Sequence, residues 1–163
     1  MNGTHKRVLD LLNEDCRIPL EKMAVMLGME MAEVASAIDE LEKEGVILCY
    51  RPVVNWDKAE RNVVEAMIEV KVMPQREFGF DAIAKRINSF EEVRSLYLMS
   101  GTYDLLIQVS APTLKELAYF VSERLSPLET VTGTSTSFVL KRYKQDGIVI
   151  DVPEEDKRLS VSP

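Results

Sequence analysis

"LYLMSGTYDLLIQVSAPTLKEL", residues 96–117, holds two runs of large apolar residues separated by Ser100-Gly101-Thr102-Tyr103-Asp104. Such runs read as strands, and the short polar break between them reads as the connection of a hairpin. After Pro112 the grammar changes. In "PTLKELAYFVSERL" the residues Leu114, Leu117, Ala118, Val121 and Leu125 recur on one helical face, and Thr113 and Glu116 have the spacing of a capping box. An aspartate between two pairing strands is the odd residue. It reads as a turn former, a catalytic carboxylate or part of a ligand site.

Working outward, "VVEAMIEVKV" alternates Val64, Ala66, Ile68, Val70 and Val72 with mainly charged neighbours, the period of a half-buried strand. "GFDAIAKRINSF" sets Phe80, Ile83, Ala84 and Ile87 on one face of a helix, and "ETVTGTSTSFVLKRYK" reads as a long strand. The order is βαββαβ, the ferredoxin-like arrangement. Its helices cover one face of the sheet, so the other face is expected to be buried by self-association.

The first fifty residues read as three helices. Val8, Leu9, Leu11 and Leu12 mark the first; Pro19 starts a second that stops at Gly28; Met31, Val34, Ile38 and Leu41 mark a third that closes at Gly45. Two helices joined by a short Gly-containing turn suit a helix-turn-helix, with a plain three-helix bundle as the alternative. "VILCYRPVVNWDKAERN" then reads as a strand and linker, since Arg51-Pro52 blocks helix continuation. The fold expected is α+β: a helix-turn-helix, winged-helix-like domain over 1–50, a linker strand or hinge over 51–62, a ferredoxin-like domain over 63–147 and a tail over 148–163.

Composition narrows the function. The chain has 163 residues, a net charge of −7, two cysteines and a single histidine, His5, near an end that reads as frayed. No apolar run approaches the roughly 20 residues that span a bilayer. The first residues lack the apolar core of a signal peptide, so a cytoplasmic protein without membrane contact is expected. Cys16 and Cys49 form neither a CxxC pair nor a disulfide framework. One histidine supports neither a His/Cys metal cluster nor a Ser-His-Asp or Cys-His constellation. No catalytic residue, metal ligand or cofactor is therefore expected, and the catalytic reading of Asp104 loses its partners.

A three-helix start joined to a βαββαβ body resembles the Lrp/AsnC family of feast/famine transcription regulators. The residues carrying the resemblance are "LEKEGVILCYRPVVN" after the third helix, "LYLMSGTYDLLIQV" with its Gly-x-Tyr-Asp, and "TSTSFVLKRYK" in the last strand. Order and spacing match over nearly the whole chain. The resemblance implies a one-component regulator that binds double-stranded DNA through the helix-turn-helix. It also implies a ferredoxin-like domain that binds an effector and assembles dimers, usually into octamers. The effector is typically an amino acid, held where dimers meet, near the Gly-x-Tyr-Asp turn and the last strand. Carried onto this chain, the effector-binding set is Ser100, Gly101, Tyr103, Asp104, Thr134 and Thr136.

The chemistry of these residues suits that role. Gly101 permits a sharp turn and a close approach, N–H groups of a turn can bind a carboxylate, and Asp104 can accept from an ammonium. Thr132, Thr134 and Thr136 share a face by alternation, and their hydroxyls donate and accept. The same residues also make an ordinary hairpin turn and an ordinary strand.

The N-terminal domain strains the resemblance. Residues 1–50 hold five basic against ten acidic side chains, a net of −5. Phosphate contacts by Lys and Arg supply most non-specific DNA affinity. The candidates for DNA contact are Arg17 and Lys22 around the second helix, Ser36 on the third, and Arg51 and Arg61 beyond it. Multimerisation can compensate for weak single domains. Two alternatives remain. One is a sensor or assembly partner that has lost its own DNA binding. The other is an enzyme like the siroheme decarboxylases, which share this plan but lean on histidines near the substrate.

Overall fold

The computed structural model describes residues 1–56, 58–59, 63–73 and 79–150. The chain divides into two compact units, Met1–Pro52 and Val53–Pro163.

The N-terminal unit is three helices around one core. Helix α1 spans Gly3–Glu14 and starts where the Asn2 side chain accepts from the His5 N–H. Helix α2 spans Leu20–Leu27, with Pro19 as N-cap and Gly28, at φ 66°, as the left-handed C-cap. Helix α3 spans Met31–Lys43. Val8, Met23, Leu27, Val34 and Leu41 bury together, as their helical spacing predicts. Arg7 Nη2 donates to the Leu27 carbonyl at 3.1 Å, placing a cation at the negative end of α2. His5 is buried rather than frayed, with Nε2 3.2 Å from Glu40 Oε2 on α3. The expected strand after α3 does not form: residues 46–56 carry no strand, and Val46 and Ile47 N–H both donate to the Leu41 carbonyl.

The C-terminal unit follows the βαββαβ order. Strand β1 spans Val64–Val72, helix α4 Asp81–Asn88, β2 Val93–Leu98, β3 Leu105–Ala111, helix α5 Leu114–Tyr119 and β4 Val131–Phe138. The antiparallel sheet has the order β2-β3-β1-β4. Register explains the core. Ile68 stands opposite Ile107 and Val70 opposite Leu105, so the alternate residues of β1 and β3 meet Ile83, Ile87, Leu117 and Phe120 of the helices. The opposite face, with Met67, Glu69, Leu106 and Gln108, stays half-buried or exposed.

Three details depart from the sequence reading. Helix α5 passes at Phe120–Leu125 into a π-helical segment, closed by a Ser126 N–H to Val121 carbonyl bond of 2.8 Å. Leu117 and Leu125 are buried as expected, but Phe120 rather than Ala118 joins them, Val121 is half-buried and Leu114 is 55% exposed. At the start of α5, the Glu116 carboxylate accepts from the Thr113 hydroxyl, while Thr113 Oγ1 accepts from the Glu116 N–H; the pair caps the helix without the full reciprocal box. The last strand is also shorter than expected. It ends at Phe138, and a small hairpin follows, β5 (Lys144–Gln145) and β6 (Ile148–Val149), turned by Asp146 at φ 47° and Gly147 at φ 83°. Asp-Gly is a type I′ hairpin signal, and a boundary at 147/148 cuts through it.

Candidate effector and DNA-binding sites

Asp104 is a clamp between strands. Its carbonyl accepts from the Met99 N–H at 2.8 Å, its N–H donates to the Val70 carbonyl at 3.1 Å, and its Oδ2 accepts from the Val72 N–H at 2.9 Å. The turn of residues 99–104 is thereby tied to the end of β1, where the β1–β4 register shifts between Lys71 and Val72. A hydrogen bond to a charged acceptor of this kind contributes about 1.5–3 kcal/mol. Nothing near residue 104 in sequence signals this, because the partner lies 32 residues away. The second carboxylate oxygen accepts no hydrogen bond among the described residues.

The rest of the turn faces outward. Ser100 and Gly101 are exposed and Tyr103 is half-buried. Gly101 does not have a positive φ, and a Cβ placed there would meet nothing within 4 Å. The turn geometry therefore does not require a glycine; a close approach by something outside the chain would.

Thr134 and Thr136 stand opposite Val70 and Ile68, so they lie on the helix-covered side of the sheet. Both are half-buried, and Thr134 Oγ1 lies 3.5 Å from Ser126 Oγ. Thr132 leaves their row. At the register shift Val131 takes the core-side position opposite Val72, and the Thr132 hydroxyl donates to the Lys71 carbonyl at 3.2 Å. Strand β1 separates the two halves of the expected site: the turn attaches on its β3 side and the threonines on its β4 side. Two strand spacings amount to roughly 10 Å, more than the backbone of one amino acid spans. Within one chain the six expected residues lie in two groups, on either side of β1, rather than around one pocket.

In the N-terminal unit the outward face of α3 carries Met31, Ala32, Glu33, Ser36, Asp39, Glu40 and Lys43. Ser36 Oγ donates to Glu40 Oε1 at 3.2 Å. Arg17, Lys22 and Arg51 are exposed, and the Arg17 N–H bonds Asp15 Oδ1 at 2.9 Å. Arg61 lies outside the described residues. Tyr50 donates to Glu42 Oε1 at 2.9 Å, and burial with this carboxylate pushes its phenol up to about 12. A cavity of about 540 Å³ between α2 and α3 is lined by Ala24, Val25, Met31, Glu21, Glu30 and Glu33, none of them an expected contact. Among the described residues no cluster of three or more His, Cys, Asp or Glu could hold a metal ion, and no helix is long and apolar enough to cross a membrane.

Comparison with known proteins accounts for both units. The profile of the Lrp/AsnC ligand binding domain matches residues 65–149, and that of a winged helix-turn-helix DNA-binding domain matches residues 1–47. The chain is 46% identical, over 96% of its length and 95% of the relative's, to the uncharacterized HTH-type transcriptional regulator YugG of Bacillus subtilis. It is 30% identical to the HTH-type transcriptional regulator LrpA of Pyrococcus abyssi, covering 85% of this chain and 96% of that one. Among solved structures, a transcriptional regulator of Neisseria meningitidis in complex with L-Met superposes with a TM-score of 0.71 at 20% identity, covering 94% of this chain and 96% of that one.

Proposed function

This chain belongs to the Lrp/AsnC family, a transcriptional regulator with a helix-turn-helix DNA-binding domain and a ligand-binding domain, and we propose that its effector is an amino acid that changes assembly and operator occupancy. The observation that carries this reading is the half-built site. The turn of residues 99–104 offers exposed residues Ser100 and Gly101, open space above Gly101 and an Asp104 oxygen that accepts no hydrogen bond among the described residues. Those groups suit the carboxylate and ammonium of an amino acid. Thr134 and Thr136 lie across β1, so a second copy would have to supply the other wall. The Neisseria neighbour, crystallised with L-Met, supports the ligand class.

In this reading the protein is a cytoplasmic homo-oligomer, built from dimers and reaching the octamer. Its effector binds one assembly better than another and so shifts the distribution between them. A thermal-shift screen of the twenty amino acids, with mass followed by light scattering, tests the sensing half. One or a few amino acids should raise the melting temperature by mass action and change the mass; no response to any of them would remove the sensing claim. Titration of the protein's own upstream DNA at low salt tests the other half. Arg17, Lys22, Ser36 and Arg51 are the proposed contacts.

The acidic outer face of α3 favours a second reading, an assembly partner without DNA binding of its own. That protein would leave DNA unshifted when pure, yet alter the shift produced by a co-expressed paralogue.

A further inference from the structure

Between Ala32 and Glu42, the polar side chains of α3 are Glu33, Ser36, Asp39, Glu40 and Glu42. Ionised carboxylates only accept hydrogen bonds. Ser36 is the one group in this stretch with a proton to give, and it gives that proton to Glu40 Oε1 at 3.2 Å. Glu40 is itself held in place: its other oxygen lies 3.2 Å from Nε2 of His5, a side chain buried in the α1–α3 contact. The Ser36 hydroxyl therefore presents lone pairs, not a proton, to whatever lies against the exposed face of α3.

We infer that residues 32–42 of α3 read base edges through acceptors alone, with Ser36 accepting from an exocyclic amine, N4 of cytosine or N6 of adenine, in the major groove. This rests on the DNA-binding reading above and specifies its chemistry. The residues of a recognition helix that reach base edges lie toward its N-terminal end, and Ser36 is the sixth residue of α3, exposed on its outer side. In the major groove guanine shows the acceptors N7 and O6, and thymine the acceptor O4; cytosine and adenine each show one amine donor. Between Ala32 and Glu42 this face carries no arginine, lysine, asparagine or glutamine and cannot make the bidentate contacts that select guanine or adenine in many regulators; Lys43 follows only in the last turn of the helix. Phosphate oxygens are acceptors too, so the side chains between Ala32 and Glu42 gain nothing from the backbone. Ala32, exposed one turn before Ser36, is the size that packs against a thymine methyl. Glu40 and His5 act through Ser36 as positioning residues.

The experiment is a selection of sites from a randomised duplex library with the full-length oligomer, followed by affinity measurement on the selected duplex. Each cytosine or adenine of the consensus is replaced singly by its analogue lacking the amine, 2-pyrimidinone for cytosine or purine for adenine. In the parent protein one such replacement per half-site should weaken binding about 5–10-fold, the size of one hydrogen bond to a base edge. Ser36→Ala should show no further loss from that same replacement. Glu40→Ala, which frees the Ser36 proton and removes a negative charge, should bind the consensus more tightly at low salt and discriminate less at that position. Thermal melting confirms that both variants fold; Ser36→Ala is a surface change and carries the test if Glu40→Ala does not fold. A consensus insensitive to amine removal, or equally sensitive in Ser36→Ala, overturns the inference and leaves DNA binding intact. Recovery of no DNA by the intact oligomer overturns this inference together with the DNA-binding reading beneath it.

Discussion

The two units build their functional surfaces from different materials. In the N-terminal unit the outer face of α3 is whatever the helical period leaves over after Val34, Ala37 and Leu41 are buried. In the C-terminal unit the candidate site is made by hydrogen bonds across strands, with Asp104 fastened to Val70 and Val72 and Thr132 fastened to Lys71. The first kind of surface tolerates substitution because, apart from Glu33, which accepts from the Glu30 N–H at the start of α3, no described backbone hydrogen bond involves it. The second is coupled to the fold, so a change in one of these residues also changes the strand it anchors.

The sharpest way to break this comparison is through the cores. Leu41→Ala and Ile107→Ala each remove a fully buried side chain, one in each unit, and each should cost about 2–5 kcal/mol. Urea unfolding followed by Trp56 and by far-ultraviolet circular dichroism should show each variant lowering the midpoint of its own unit. A single shared shift would mean that the units do not unfold separately.

Asp104→Ala should come next. It leaves the Val72 N–H without its acceptor and should destabilise the C-terminal unit by about 1–3 kcal/mol, whereas Asp104→Asn keeps an acceptor and should cost less. Unfolding midpoints measured beside effector response separate the two roles. If Asp104→Asn restores stability but not the response, the carboxylate charge serves the ligand as well as the fold.

In the N-terminal unit Arg17→Ala and Lys22→Ala should leave stability unchanged within about 0.5 kcal/mol, as surface substitutions do. They should weaken DNA binding evenly across sequences and lower the slope of log K against log salt by about 1 for each phosphate left without its cation. Unchanged slopes would remove these residues from the interface.

The smallest effect concerns Tyr50. Its pKa is raised to about 12, so the folded protein keeps the phenolic proton that the unfolded chain loses near 10. Stability from this group is complete below about pH 10 and is lost as the pH rises toward 12. Tyr50 is only partly buried, 44% exposed, so solvent screens the effect; the change in unfolding midpoint should be small, and Tyr50→Phe should abolish it. Absorbance of tyrosinate against pH, compared between parent and variant, checks the assignment.

Much of this architecture is legible in short-range pattern. Pro19 and Gly28 bracket α2 because each acts within its own turn of chain, and Val64 to Val72 read as a half-buried strand because alternation is local. The π-helical segment is not legible: Leu114 to Leu125 suit an ordinary helical face, and only packing against the sheet selects Phe120. The hairpin at 144–149 is signalled by its Asp-Gly pair, although the polar Lys144-Gln145 on its first arm does not read as a strand. The strand expected after α3 fails for the reverse reason. Residues 46–50 have strand-like composition, yet Val46 and Ile47 bond back to the end of the helix.

The sequence by itself determined the order of elements, the family and the acidic surface of α3, since each depends on residue type and short-range period. Tertiary structure alone decided that Asp104 clamps Val72, that Val131 displaces Thr132 at the bulge, and that buried His5 stands against Glu40. Those outcomes join residues far apart in the chain, and no local pattern specifies which distant N–H, carbonyl or carboxylate a side chain will meet.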